Sequence, residues 1–361
     1  MGKAHSNAWR QAPRFFDLAA KIRMTTICGR DRAGTSRAAK KLGWEGSTTD
    51  WRVVIADPGI DIVDICAPND LHAEIAIAAA RAGKAILCEK PLARDVREAE
   101  RMVEAAGRAR VVNMVCHNYR RVPAIALAKQ MIEAGELGDR IYHFHARYAQ
   151  DWIANEESPL VWRLRSRFAG SGALGDIGAH VIDLARYLVG EIDEVSAMSE
   201  TFVKRRPFET KKDVWARVDV DDAVTVIGKF RSGALLNFEA TRFAHGRKNQ
   251  LAFEINGSGG SVAFDLEQMN YLRFFRRADP IGCQGFRRIL VTEPAHPYVA
   301  HWWPPGHLVG YEHTFVHTIA DFVNAVVAKK IARPTFADGL RNQRIMDAIM
   351  RSARRRSWIK L

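Results

Sequence analysis

The chain is poor in cysteine: five in 361 residues, none spaced as a CxxC pair. That excludes a disulfide framework and the usual structural zinc motifs. Four of the five (Cys28, Cys66, Cys88 and Cys116) lie in or at the ends of short apolar runs. Buried free thiols in a reducing cytoplasm are therefore expected, and none sits in a context that would activate a thiolate. No apolar run is long enough to span a bilayer, and no basic segment leads into an apolar stretch at the start, so neither a membrane partner nor an export signal is expected. Internal repeats and low-complexity linkers are absent. Negative charge is in deficit: 54 Lys and Arg against 41 Asp and Glu leave a net +13. The excess is dispersed, with its densest run only at 351–356, which reads as solvated surface and not as a nucleic-acid footprint. Such a surface can still draw in phosphate-bearing cofactors.

What is present suits a soluble protein of two domains, with 47% hydrophobic residues to fill their cores. Residues 24–28, 62–66, 85–88 and 111–115 are short apolar runs that read as strands. Helical spacing fills the stretches between them, up to 42, over 71–82 and over 96–106. Strands alternating with helices of this length imply a doubly wound parallel sheet, buried on both faces. From about residue 140 long strands follow one another, at 141–148, 195–201, 223–230, 234–240, 251–255 and 261–264, which predicts a large, mostly antiparallel sheet. A helix over 311–327 should return onto the rest. The expected division is a dinucleotide-binding domain over 1–121 and an α/β domain for substrate and oligomerisation over 122–361, its last helices packing back on the first. An open antiparallel sheet often buries its exposed face against a second subunit.

A dinucleotide-binding fold opens with a strand, a glycine-rich turn and a helix whose N-terminus receives the pyrophosphate. Here Met1-Gly2-Lys3-Ala4-His5 runs straight into a helix, so at most the last glycine of a GxGxxG turn is present, as Gly2. The expectation is a sheet lacking its first strand, from a start at an internal methionine or a trimmed end, with weakened cofactor binding.

Two segments carry chemistry. Glu89-Lys90-Pro91 follows a predicted strand, where open parallel sheets bind ligands, and the proline keeps Lys90 extended. A lysine there can polarise a sugar oxygen or point to solvent. In Gly172-Ala-Leu-Gly-Asp176-Ile-Gly-Ala-His180-Val-Ile-Asp183 the spacing sets Asp176, His180 and Asp183 on one helical face. A histidine flanked by carboxylates suits general acid–base work. A structural histidine is the competing reading, and a metal site is the weaker one because no further ligand is evident.

The run Cys88-Glu-Lys-Pro-Leu-Ala93, with Ala67-Pro-Asn-Asp-Leu-His72 before it and the 172–183 segment after it, resembles the Gfo/Idh/MocA oxidoreductases over nearly the whole chain. Within that family it looks closest to sugar dehydrogenases, through Tyr148-Ala-Gln-Asp-Trp152, Val161-Trp-Arg163, Glu239-Ala-Thr-Arg242, His245-Gly-Arg247 and Phe336-Ala-Asp-Gly339. The resemblance implies a Rossmann domain followed by an α/β domain, and hydride transfer between a sugar or polyol CH–OH and a nicotinamide. It makes His180 the base, Lys90 the group orienting the oxygen, and Asp176 a positioning group. It also implies a cofactor lined by Gly2, Pro68, Asn69, His72, Glu89, Lys90 and Asn118, a sugar met by Tyr119, Trp152 and Arg163, and no metal. Gly29 stands where NAD enzymes carry an acid after the second strand, with Arg30 beside it; this favours NADP over NAD, against the nearby Asp31. A nicotinamide-dependent glycoside hydrolase of the same family, or a non-catalytic cofactor-binding relative, are the alternatives.

Overall fold

Short parallel strands alternate with helices through the first third of the chain. In this computed structural model, residues 1–208 and 213–361 are described. They divide into two compact units, Met1–Arg121 with Val309–Arg341, and Val122–Leu308 with Asn342–Leu361. Residues 309–341, expected within the second domain, thus belong to the first unit.

The first unit opens with α1 (Gly2–Phe15) and continues through β1 (Thr26–Cys28), α2 (Arg32–Leu42), β2 (Gly46–Thr48), α3 (Trp51–Ala56), β3 (Ile62–Ile65), α4 (Asn69–Arg81), β4 (Ala85–Glu89), α5 (Val96–Ala109) and β5 (Asn113–Cys116). The helix starts are written locally: Asp31, Asp50 and Asp95 each cap a helix by accepting a backbone N–H two or three residues on. The left-handed Gly43 ends α2. All ladders are parallel, in two pieces, β1–β2 and β3–β4–β5, and among the described residues no strand joins them. Every residue of β4 is buried, because α4 and α5 cover it. Ala73, Ala76, Ala79 and Ala80 let α4 approach closely, and Ala99, Met102 and Ala106 form the inner stripe of α5. Each large apolar side chain enclosed here contributes roughly 1.5–3 kcal/mol.

The second unit begins with α6 (Pro123–Glu133), its proline in the first turn where the missing N–H costs nothing. After β6 (Ile141–Ala149) and the short α7 (Ser166–Ala169), a single π-helical turn over Leu174–Gly178 leads into α8 (Ala179–Leu188). Then follow β7 (Ile192–Glu200), β8 (Arg205–Pro207), β9 (Trp215–Arg217), β10 (Ala223–Phe230), β11 (Leu235–Thr241), β12 (Gln250–Gly257), β13 (Gly260–Asp265), β14 (Tyr271–Arg276), β15 (Arg287–Leu290) and β16 (Ile359–Lys360). Nine of these strands form one sheet, ordered β15-β14-β13-β12-β6-β11-β10-β7-β16, and β8 pairs with β9 apart from it. Among the described residues of that sheet, only the β6–β11 pair is parallel. Period-2 patterning sets the faces: in β10, Val224, Val226 and Phe230 are buried while Thr225, Ile227 and Lys229 are exposed.

Two helices lie between β15 and the final strand β16, α9 (Tyr311–Val327) and α10 (Phe336–Arg355). In the first unit α9 packs on α1, and Phe336 and Leu340 of α10 enter the core beneath β4. From Asn342 onward α10 serves the second unit, where the Ser352 hydroxyl oxygen accepts the Ala197 N–H at 3.0 Å.

Candidate active site

In the first unit the relevant residues gather at the carboxyl ends of β3, β4 and β5 and at the start of α1. Helix α1 has no side-chain cap, and a Cβ at Gly2 would meet nothing within 4 Å. The Ala4 and His5 N–H groups donate to the Met1 carbonyl, and the Gly2 and Lys3 amides stand at the positive dipole end, the kind of position that receives a pyrophosphate. Pro68 stands immediately before α4, and Asn69, its first residue, is buried. His72 is fully buried, its ring nitrogens 3.0 Å from the carbonyl oxygens of Pro91 and Ala67. It ties the loops after β3 and β4 together, so any service to a cofactor runs through those loops. The Glu89 carboxylate accepts the Lys90 backbone N–H at 3.1 Å. Asn118 donates to the Thr314 hydroxyl at 2.8 Å, and the buried Tyr119 ring meets Tyr311 edge-on at 6.4 Å. Arg30 is exposed, whereas Asp31 is committed to capping α2 through the Gly34 N–H. These residues fit a dinucleotide: a helix start for phosphates, and polar side chains and loop amides at the strand ends.

The second unit holds the other group of residues, and it is assembled by Asp221. Its buried carboxylate accepts the N–H groups of Gly172 and Leu174 at 2.7 Å each, and its carbonyl accepts the Ala173 N–H at 2.9 Å. A Cβ on Gly172 would lie 1.8 Å from that carbonyl oxygen, so only glycine permits the approach. From this anchor the chain makes its π-helical turn, a device frequent at functional sites, which carries Asp176, and α8 starts with His180 in its first turn. The Asp176 carboxylate lies between two guanidinium groups, 4.0 Å from Arg163 and 3.8 Å from Arg242. Arg242 is wholly buried, donates to the Asp221 carbonyl at 3.0 Å, lies 3.8 Å from Asp222, and stands 5.6 Å from the centre of the Trp152 ring. Trp152 itself is 42% exposed, so its ring has surface left for a ligand. His180 is 5% exposed and packs against Tyr148, with ring centroids 6.0 Å apart. Tyr148 in turn donates to Asn249 at 2.8 Å.

Asp176, Arg163, Arg242 and Trp152 therefore form one set of contacts, and His180 follows Asp176 by four residues, in the first turn of α8. Asp183 lies three residues after His180 in α8, is fully buried, and accepts a hydrogen bond from Asn342 at 3.1 Å. Sequence reasoning also passed over Asp221, Arg242 as a partner of Asp176, and His5, which lies between the carboxylates of Asp64 and Glu89. Only the Asp221-Asp222 doublet offered a local signal; the other pairings span long stretches of chain. A cleft of about 830 Å³ between α4 and α5 holds none of these residues; charges of alternating sign, such as Glu74, Arg81, Glu98 and Arg101, line it.

Comparison with known proteins shows the family. Residues 1–117 match the oxidoreductase family with an NAD-binding Rossmann fold, and residues 125–263 match the GFO/IDH/MocA C-terminal domain. Levoglucosan dehydrogenase from Pseudarthrobacter phenanthrenivorans is 45% identical over 99% of this chain and 95% of its own. The crystal structure of an oxidoreductase domain protein from Kribbella flavida superposes with a TM-score of 0.97 at 53% identity, covering 100% of this chain and 96% of that one. A levoglucosan dehydrogenase structure in complex with NADH and levoglucosan gives a TM-score of 0.97 at 46% identity, again over 100% and 96% of the two chains. With polar strand ends in one unit and an arginine–carboxylate–tryptophan cluster in the other, the chain belongs to the Gfo/Idh/MocA family of NAD-dependent sugar oxidoreductases.

Proposed function

We propose that the chain oxidises a secondary hydroxyl of a sugar of the levoglucosan type, with His180 taking the hydroxyl proton and Lys90 polarising the oxygen. The observation that carries this is the surrounding of Asp176: a carboxylate set between Arg163 and Arg242 beside the part-exposed ring of Trp152, within a turn of His180. Aromatic faces bind the apolar face of a sugar ring, while a carboxylate fixed by guanidinium groups accepts from its hydroxyls. Nicotinamide, when bound, supplies the acceptor for the hydride that leaves the carbinol carbon. His180 belongs to the first turn of α8 and is buried, which suits a proton acceptor held away from bulk water. Levoglucosan, the sugar held in the matching complex, is the substrate to try first.

Two observations bear on the cofactor in opposite senses. Asp31 is committed to its helix, leaving Arg30 as the charged side chain beside the ribose position, which favours a 2′-phosphate. The matching levoglucosan dehydrogenase complex holds NADH. Similarity over the whole chain outweighs one exposed arginine, so NAD is the cofactor of choice and NADP the minor one. The exposed residues Met198, Ile227 and Leu235 on one face of the large sheet favour a homodimer or homotetramer through that face. All five cysteines are free, which suits a reducing cytoplasm.

The test is NADH formation from levoglucosan, with His180→Asn and Lys90→Met variants and fluorescence titration of NADH. Each variant should lose at least about a hundredfold in kcat while retaining NADH affinity. Full turnover in His180→Asn would remove it as the base, and cleavage of a glycoside without net NADH would replace dehydrogenation by hydrolysis. Arg30→Ala should narrow whatever NADP use the enzyme shows.

A further inference from the structure

The first unit contains an arrangement that the proposed chemistry leaves unused. His5, on α1 and 2% exposed, has Nδ1 at 2.9 and 3.0 Å from the Asp64 carboxylate oxygens and Nε2 at 2.8 Å from Glu89 Oε1. A neutral imidazole has one N–H and would turn a lone pair towards one of those carboxylates. Both contacts are favourable only if both nitrogens carry protons, so the geometry calls for imidazolium. Trp9, one helical turn on, donates to the same Asp64 carboxylate at 2.8 Å, and the Phe315 ring covers the imidazole at a centroid distance of 5.2 Å.

The Glu89 carboxylate extends this chain of contacts. Its Oε1 accepts from His5, and its Oε2 accepts the Lys90 backbone N–H. We propose that His5 is a positioning residue for Lys90: by holding Glu89 from one side, it fixes the carboxylate that holds the Lys90 amide from the other. This rests on the reading of Lys90 as the group that polarises the substrate oxygen.

The groups around His5 support the charged form. Asp64 faces it from β3, Cys66 from just beyond that strand, Glu89 from β4, Cys116 from β5 and Tyr311 from α9; Lys90 lies next to Glu89. Burial alone would lower the affinity of His5 for its proton, but the charge and hydrogen bond of Asp64 hold it well above the ordinary value. Burial likewise acts to raise Glu89, and hydrogen bonding and charge from His5 reverse this, bringing it to about 2. A metal is the competing use for His5, Glu89 and Cys116. Burial, however, pushes the Cys116 thiol up to about 11 and Cys66 to about 12, so neither offers a thiolate near neutrality, and both imidazole nitrogens are already engaged.

The wild-type protein allows a direct test that needs no variant. Nitrogen NMR of histidine-labelled enzyme should show the His5 ring protonated at both nitrogens at neutral pH, the signal being assigned by its loss in His5→Asn. A neutral His5 ring at that pH overturns the proposal. Kinetics supply the second arm. His5→Ala should lower kcat roughly 10- to 100-fold, as loss of a supporting contact does at comparable sites, with KM for the sugar changed little and with partial recovery on adding imidazole. His5→Asn should also lose the fall in kcat that the wild type shows as alkaline pH removes the imidazolium proton. If Lys90→Met is inactive but His5→Ala is not, the positioning role fails alone. If Lys90→Met is fully active, the reading of Lys90 fails and takes this inference with it.

Discussion

Replacing Asp221 by asparagine isolates one interaction on which the second-unit site depends. The carboxylate accepts two backbone N–H groups at 2.7 Å while 4% exposed. Asparagine has nearly the same shape but only one accepting oxygen, and its amide nitrogen must turn towards a buried N–H. One hydrogen bond to a charged acceptor is lost, worth about 1.5–3 kcal/mol, and a buried donor is left unsatisfied at a cost of about 1–3 kcal/mol. These overlap, so a net loss of roughly 2–4 kcal/mol is expected, local to the start of the 172–188 segment.

Hydrogen exchange reads this directly. The amides of Gly172, Leu174 and Asp176 should exchange roughly 30- to several hundred-fold faster in Asp221→Asn, with the β4 amides unchanged. Because Asp176 and His180 follow this anchor, kcat should fall with them while NADH affinity stays. Asp222→Asn is the control. Burial already pushes the Asp222 carboxyl up, against the hydrogen bonds from the Val203 and Phe202 amides and the charge of Arg242, so a neutral amide is a smaller change there. Equal exchange rates in Asp221→Asn and wild type would refute the anchoring role.

Three further outcomes follow from particular contacts. Gly172→Ala should destabilise by about 1–3 kcal/mol through overpacking against the Asp221 carbonyl and depress kcat, as judged by a denaturant midpoint and turnover; an unchanged midpoint counts against the close approach. In the native protein Cys283 should react with a thiol reagent first and Cys28 more slowly, since burial and Asp50 raise its thiol, while Cys66, Cys88 and Cys116 wait for unfolding. Glu89, held near 2 against an ordinary 4.5, should contribute stability above about pH 4.5 that is lost as pH falls towards 2. His5 has the opposite sign, its contribution complete below about 6.5 and lost as pH rises through its raised value. Denaturant midpoints across pH should therefore fall at both ends in wild type and lose the alkaline fall in His5→Asn.

Elements with a strong local pattern were legible. The helix over 311–327 and the strand over 223–230 lie where the sequence places them, because periodicity and flanking residues agree. The strand expected over 24–28 is only Thr26–Cys28, and six strands were not anticipated: the short Gly46–Thr48, Arg205–Pro207, Trp215–Arg217 and Ile359–Lys360, and the longer Tyr271–Arg276 and Arg287–Leu290. β14 reads Tyr-Leu-Arg-Phe-Phe-Arg, whose mixed aromatic and basic residues give no clean alternation. It is a strand because β13 pairs with it, and that partner is set by tertiary structure. The assignment of residues 309–341 to the first unit is likewise settled by α9 packing on α1, a contact between residues some three hundred positions apart in the chain that no local pattern encodes.

The site divides along the same line. Lys90, Asp176 and His180 were visible because they sit in short motifs, where neighbouring residues restrict what the backbone can do. His5, Asp221 and Arg242 were not, since each acts on a residue far off in the chain: His5 on Glu89, Arg242 on Asp176, Asp221 on the 172–174 amides. In a sequence these are an ordinary helix histidine, one of many arginines and half of an Asp-Asp pair. What distinguishes them is burial of charge, which is tolerated only where partners are in place. Arg242, wholly buried beside Asp176 and Asp222, and His5, enclosed between Asp64 and Glu89, are therefore the positions where a substitution leaves an uncompensated charge on its partner. Their loss should harm the enzyme through the residues they hold, with kcat falling further than affinity for sugar or cofactor.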